Sequence, residues 1–170
     1  SGGFFFPSHD HEKLIHRPKT GHDGATPSGN GIAAITLQRS GYLLNEPRYL
    51  AAAERTLNIF SDALRHQASS HCSLLIALEE HLEPIRTIHL SENETELRAW
   101  LKALIPCSLN TISVAFPHEL SGLPNSLIKR FALSEKVSAR ICEGRQCLPK
   151  IHSLNELLQV CGVHGRITFP

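Results

Sequence analysis

From Thr26 to about Leu82 the apolar positions recur every three or four residues, whereas beyond Pro84 they gather into short β-branched runs. That change of period predicts a helical unit over 1–83 and a small α/β unit over 84–170. A first helix is expected from Thr26 as cap and Pro27 in the first turn, through Ile32, Ile35 and Leu37, with Gly41 as its stop. A second, from about Pro47 to His66, puts Tyr49, Ala53, Leu57, Phe60 and Leu64 on one face. A third, from about Ser70 to Leu82, does the same with Leu74, Leu75, Leu78 and Leu82, and Cys72 is expected in the core beside Leu75. Short polar loops between these helices imply antiparallel hairpins.

Past Pro84, Ile85–Leu90 and Thr111–Phe116 read as strands, with a helix from Glu94 to Ile105 between them carrying Leu97, Trp100, Leu101 and Leu104. Strand, helix and strand at this spacing make a βαβ unit and imply a parallel sheet. Val137–Cys142 offers a third strand, and Ser153–Val160 a closing helix with Ser153 and Glu156 at capping-box spacing.

Composition narrows the function classes. With 41% hydrophobic residues in 170, the chain can bury a core. A formal charge of +1 gives no electrostatic footprint for nucleic acid or an acidic membrane. No apolar stretch approaches the ~20 residues needed to span a bilayer. The odd cysteine count, at 72, 107, 142, 147 and 161, argues against a secreted disulfide scaffold and for a reducing, cytoplasmic setting.

The densest chemistry lies in Arg17-Pro18-Lys19-Thr20-Gly21-His22-Asp23-Gly24-Ala25-Thr26-Pro27-Ser28-Gly29-Asn30. Asp23-Gly24 is a natural turn and Thr26-Pro27 a natural helix start, so architecture alone accounts for part of it. Turn formation does not require Arg17, Lys19, His22 and Asp23 to gather before a helix N-terminus, whose N–H groups suit a hydroxyl-rich or anionic ligand. His9-Asp10-His11-Glu12 holds metal-ligand residue types, but its spacing matches no helical zinc motif and a solvated loop is the simpler reading. Neither metal nor cofactor is required. Cys142-x4-Cys147 lacks the C-x-x-C spacing of thioredoxin-type sites, leaving a thiol-bearing turn and a reversible disulfide as alternatives.

These residues carry a resemblance. The 17–30 run, Gly2-Gly3-Phe4-Phe5-Phe6 before it, Glu46–Leu57 after it and the late Cys142–Pro149 element resemble, in register, the thioredoxin-domain-containing family typified by spermatogenesis-associated protein 20. The resemblance implies a partial six-hairpin (α/α) toroid, related to N-acylglucosamine epimerases and glycosidases, followed by the α/β appendage. It also implies that the chain is a C-terminal part, a reading the absence of methionine fits, and that its partners are a thioredoxin-like domain and further helical hairpins. A sugar-like molecule would occupy the toroid cavity, with Asp23 catalytic, Arg17, Lys19, His22, Ser28 and Asn30 binding, and Cys142 and Cys147 a possible redox pair. The competing class is a non-catalytic scaffold. Two departures bear on local packing: His16 stands where the family carries an aliphatic residue, and Gly31 where it carries serine.

Overall fold

A computed structural model describes residues 2–6, 10, 15–91, 94–107, 111–116 and 137–162. The chain divides into two compact units, Ser1–Pro84 and Ile85–Pro170, within a residue of the boundary expected from the change of period.

Unit 1 is helical. Helix α1 (Gly29–Leu44) begins at Ser28, whose side chain accepts from the Gly31 N–H at 3.0 Å, so the cap lies two residues beyond Thr26. Gly41 does not stop the helix. It lies within α1, where a Cβ would come within 2.6 Å of the Leu50 side chain, and Asn45, in the left-handed region at φ 53°, ends the helix instead. The predicted second helix divides into α2 (Pro47–Ile59) and α3 (Ser61–His66). The break falls at Phe60, which is buried, and its ring would meet a Cβ on Gly21 at 2.6 Å. After a 3-10 turn at Ala68–Ser70 comes α4 (Cys72–Leu82).

Helix α1 packs against both α2 and α4. Ala34, Leu57, Phe60, Leu64, Leu74 and Ala77 form the shared core. Between α1 and α4, Gln38 Nε2 donates to the Ala77 carbonyl at 2.9 Å, and the Arg39 guanidinium clasps Glu80. Glu80 is buried while Arg39 is not, so the pair orients the helices more than it stabilises them. Cys72 is exposed rather than in the core, since the buried face of α4 runs through Ser73, Leu74, Ala77 and Glu80. Leu82, at 71% exposed, also lies off that face.

Unit 2 is α/β, but its sheet is mixed rather than parallel. Strands β1 (Arg86–Ser91) and β2 (Thr111–Phe116) pair in parallel around α5 (Glu94–Leu104), as the βαβ reading expects. The correction concerns β3 (Ser138–Glu143), which pairs antiparallel with β1 and turns through Gly144 into β4 (Gln146–Cys147), giving the order β2-β1-β3-β4. Gly144 has φ 56°, the left-handed conformation this tight hairpin needs. Helix α6 (Leu154–Val160) closes the unit. Ser153 precedes it without a side-chain cap, so the capping box does not form.

Alternation along β1 and β3 sends Ile88, Leu90, Ala139 and Ile141 to one face, where Trp100 and Leu104 of α5 and Leu157 of α6 join them. The opposite face carries Thr87, His89, Ser91, Ser138 and Cys142, all buried, with His89 Nε2 3.0 Å from Thr87 Oγ1 and the Ser91 and Ser138 hydroxyls 2.9 Å apart. Among the described residues, six α-helices and four strands make the fold mixed α/β.

Candidate functional site

The 17–30 segment ties separate stretches of unit 1 to two helix N-termini. Asp23 is central to it. Its Oδ1 accepts from the Ser28 N–H at 2.7 Å and from Ser73 Oγ at 2.5 Å, and its Oδ2 accepts from the Ser73 N–H at 2.8 Å. The Asp23 N–H in turn donates to the Ser70 carbonyl at 2.8 Å. A loop carboxylate therefore supplies the N-terminal acceptor that His71, at the cap position of α4, does not provide. Desolvation raises the Asp23 pKa, but the Ser73 hydroxyl and N–H, the Ser28 N–H and the charge of His71 outweigh it and hold the group below the ordinary carboxylate value.

Ser28 and Asn30 are buried and equally engaged. Ser28 Oγ, besides capping α1, lies 3.0 Å from Ser73 Oγ. Asn30 clasps the backbone of Phe4, accepting from its N–H at 2.7 Å and donating to its carbonyl at 3.0 Å, and also donates to the Thr20 carbonyl at 2.8 Å. Arg17 and Lys19 stack on the Phe5 ring at 4.7 and 4.6 Å, and Lys19 Nζ donates to the Gly2 carbonyl. His22 is exposed and meets the buried His71 ring edge-on, with centroids 5.9 Å apart.

A cleft of about 330 Å³ lies between the Phe4-Phe5-Phe6 segment and the start of α1. Of the residues singled out from sequence, His22, Ser28 and Asn30 line it, with Thr20 and Thr26, whereas Arg17, Lys19 and Asp23 do not. Phe4, Phe5 and Phe6 line one side, and Thr20, His22, Thr26, Ser28 and Asn30 are among the residues of the other. His71 and Ser73 escaped the sequence reading although they complete the Asp23 cluster. The serine-rich approach to α4 marked a helix start, but nothing local paired it with a carboxylate 50 residues earlier. A second depression, about 320 Å³, lies along α4 beside Leu75, Leu78 and Leu82.

In unit 2, Cys142 and Cys147 stand opposite each other on β3 and β4 and are joined by a disulfide, S–S 2.10 Å. This selects the disulfide from the two alternatives. Cys142 is 1% exposed and Cys147 is at the surface. Attack on the exposed Cys147 sulfur would expel a thiolate into a buried site, which disfavours exchange. Among the described residues no cluster of three His, Cys, Asp or Glu could hold a metal ion. Of the 9–12 segment only Asp10 lies within them, and His9, His11 and Glu12 lie outside. Among the described residues no helix is long and apolar enough to cross a membrane.

Comparison with family models, with curated proteins and with solved structures finds no similar protein.

Proposed function

We propose that this chain is the C-terminal part of a thioredoxin-domain-containing protein of the kind its sequence resembles, and that its helical unit binds a small sugar-like molecule without transforming it. The observation that carries this reading is the division of labour around the cleft. Asp23 directs both carboxylate oxygens into the fold and is absent from the cleft wall, while aromatic rings and hydroxyl groups line it. Acid and base work on a sugar ring needs a carboxyl group able to carry a proton at the operating pH, and a carboxylate held below its ordinary pKa by three donors is poorly suited to that. Aromatic rings set against the hydroxyl groups of Thr20 and Thr26 suit a polyhydroxylated ring, apolar on its C–H face and polar at its rim. Any transformation would then fall to groups supplied by further helical hairpins of the same toroid. The Cys142–Cys147 disulfide weighs against the reducing, cytoplasmic setting expected from the odd cysteine count, since disulfides are rare in such compartments.

Isothermal titration of the chain with glucose and N-acetylglucosamine tests this reading. Saturable binding is expected, lost in Phe6→Ala and Thr20→Val with the melting temperature unchanged, because Phe6 is 82% exposed and Thr20 is at the surface. Absence of binding by the chain and by a longer protein containing it, or binding that survives both substitutions, would return the segment to a purely scaffolding role.

A further inference from the structure

Residues 2–6 are held to unit 1 through their main chain more than through their side chains. Phe4, Phe5 and Phe6 are 47%, 46% and 82% exposed, and none joins the core that α1, α2 and α4 share. The buried Asn30 sets its side-chain amide against Phe4, accepting from the N–H at 2.7 Å and donating to the carbonyl at 3.0 Å. Lys19 Nζ donates to the Gly2 carbonyl, and the Phe6 N–H donates to the Pro18 carbonyl at 3.0 Å. The two glycines add steric selection. A Cβ on Gly2 would lie 2.0 Å from the Arg55 carbonyl oxygen of α2, and one on Gly3, at φ 68°, would lie 2.4 Å from Ile59 Cδ1. Phe5 then meets two cations, Arg17 at 4.7 Å and Lys19 at 4.6 Å from its ring. Main-chain bonds together with fixed places for particular residues are how a groove holds an extended peptide, whereas a segment packed into a core buries its large side chains.

We propose that Arg17, Pro18, Lys19 and Asn30, with α2 at Arg55 and Ile59, form a groove for an extended peptide in which two adjacent glycines precede aromatic residues, and that residues 2–6 fill it in cis. The contacts fix the order of the ligand. A glycine goes where the Arg55 carbonyl leaves no room for a Cβ, and a second where the backbone is left-handed. The next residue is gripped by both its main-chain groups at the Asn30 amide, and an aromatic ring follows for the two cations. Because the core of unit 1 contains none of residues 2–6, the helices that frame the groove pack without them, and a separate peptide of the same pattern can take their place. The groove is defined by bonds the chain makes to itself and is independent of what the cleft holds.

Gly2→Val sets a side chain against the Arg55 backbone, so it keeps the segment from docking and frees the groove for a peptide supplied in trans. Fluorescence anisotropy of a labelled synthetic peptide with the sequence of residues 1–6 should rise saturably with the Gly2→Val chain and stay flat with the unaltered chain, whose groove is filled. The same peptide carrying Gly2→Val should bind about 10-fold more weakly. Lys19→Met in the receiving chain should weaken binding of the first peptide, because the Gly2 carbonyl loses its donor. In the unaltered chain, excess unlabelled peptide should accelerate amide hydrogen exchange at Phe4 and Phe6 and leave the amides within α1 unaffected. The proposal is overturned if a Gly2→Val chain with the far-UV ellipticity of the unaltered chain binds neither peptide, or binds both equally. Should that chain not fold, exchange at Phe4 and Phe6 that excess peptide leaves unchanged overturns it instead.

Discussion

Replacing Asp23 by asparagine removes a charge at nearly constant shape and separates an architectural carboxylate from a catalytic one. The carboxylate accepts three hydrogen bonds, two at Oδ1 and one at Oδ2. Asparagine offers a single acceptor oxygen. Set at the Oδ1 position, it keeps the Ser28 N–H and the Ser73 hydroxyl but turns its NH₂ toward the Ser73 N–H, donor against donor. A hydrogen bond to a charged group contributes about 1.5–3 kcal/mol and a helix N-cap about 0.5–2. Because Asp23 is only half-buried, the lower part of these ranges applies, about 2 kcal/mol in all. For a unit of this size that corresponds to a melting shift of roughly 8–16 °C in far-UV ellipticity. Amide hydrogen exchange at Ser28 and Ser73 should accelerate about 30-fold. The effect also has a pH signature. A carboxylate with a lowered pKa contributes its stability above the unfolded value, near 3.8, and loses it as pH falls through the lower folded value. The difference between wild type and Asp23→Asn should therefore be constant from pH 7 to about 5 and shrink below about 4. An unchanged melting curve and unchanged exchange at both serines would refute the reasoning and return Asp23 to the cleft.

Two further substitutions probe the packing. Gly31→Ala should destabilise unit 1 by about 1–3 kcal/mol, since its Cβ would fall 2.0 Å from Ser73 Oγ and 2.6 Å from Ser73 Cβ. Thermal melts should show Ser73→Gly partly rescuing it, and a Gly31→Ala protein that melts with wild type would remove the close approach of α1 and α4 from the account. In unit 2, the disulfide closes a sequence separation of only 5, which limits its contribution to about 2 kcal/mol. Urea unfolding followed by Trp100 fluorescence should give a loss within that limit for Cys147→Ser and a larger one for Cys142→Ser, which buries a hydroxyl. The reverse order would mean that the exposed sulfur carries the constraint.

Periodicity along the chain determined which segments are helix and which are strand, because the contacts that select 3.6- or 2-residue repeats lie within one element. The β1-α5-β2 crossover and the change of character near Pro84 followed from that local pattern. Tertiary structure decided the rest. The direction of β3 shows only in its pairing with β1 and not in its own residues, so parallel and antiparallel pairing look alike in sequence. The helix breaks at Phe60, whose buried ring packs against Gly21, and the buried face of α4 runs through Ser73, Leu74, Ala77 and Glu80, which leaves Cys72 in solvent. At the candidate site the sequence marked Arg17, Lys19, His22 and Asp23 as more than a turn, since charge, turn residues and a helix start coincide there, and the family resemblance added Ser28 and Asn30. It could not show that Asp23 faces Ser73, or that Asn30 holds Phe4, because those bonds join stretches far apart along the chain and only the packing of α1 against α4 brings them within reach.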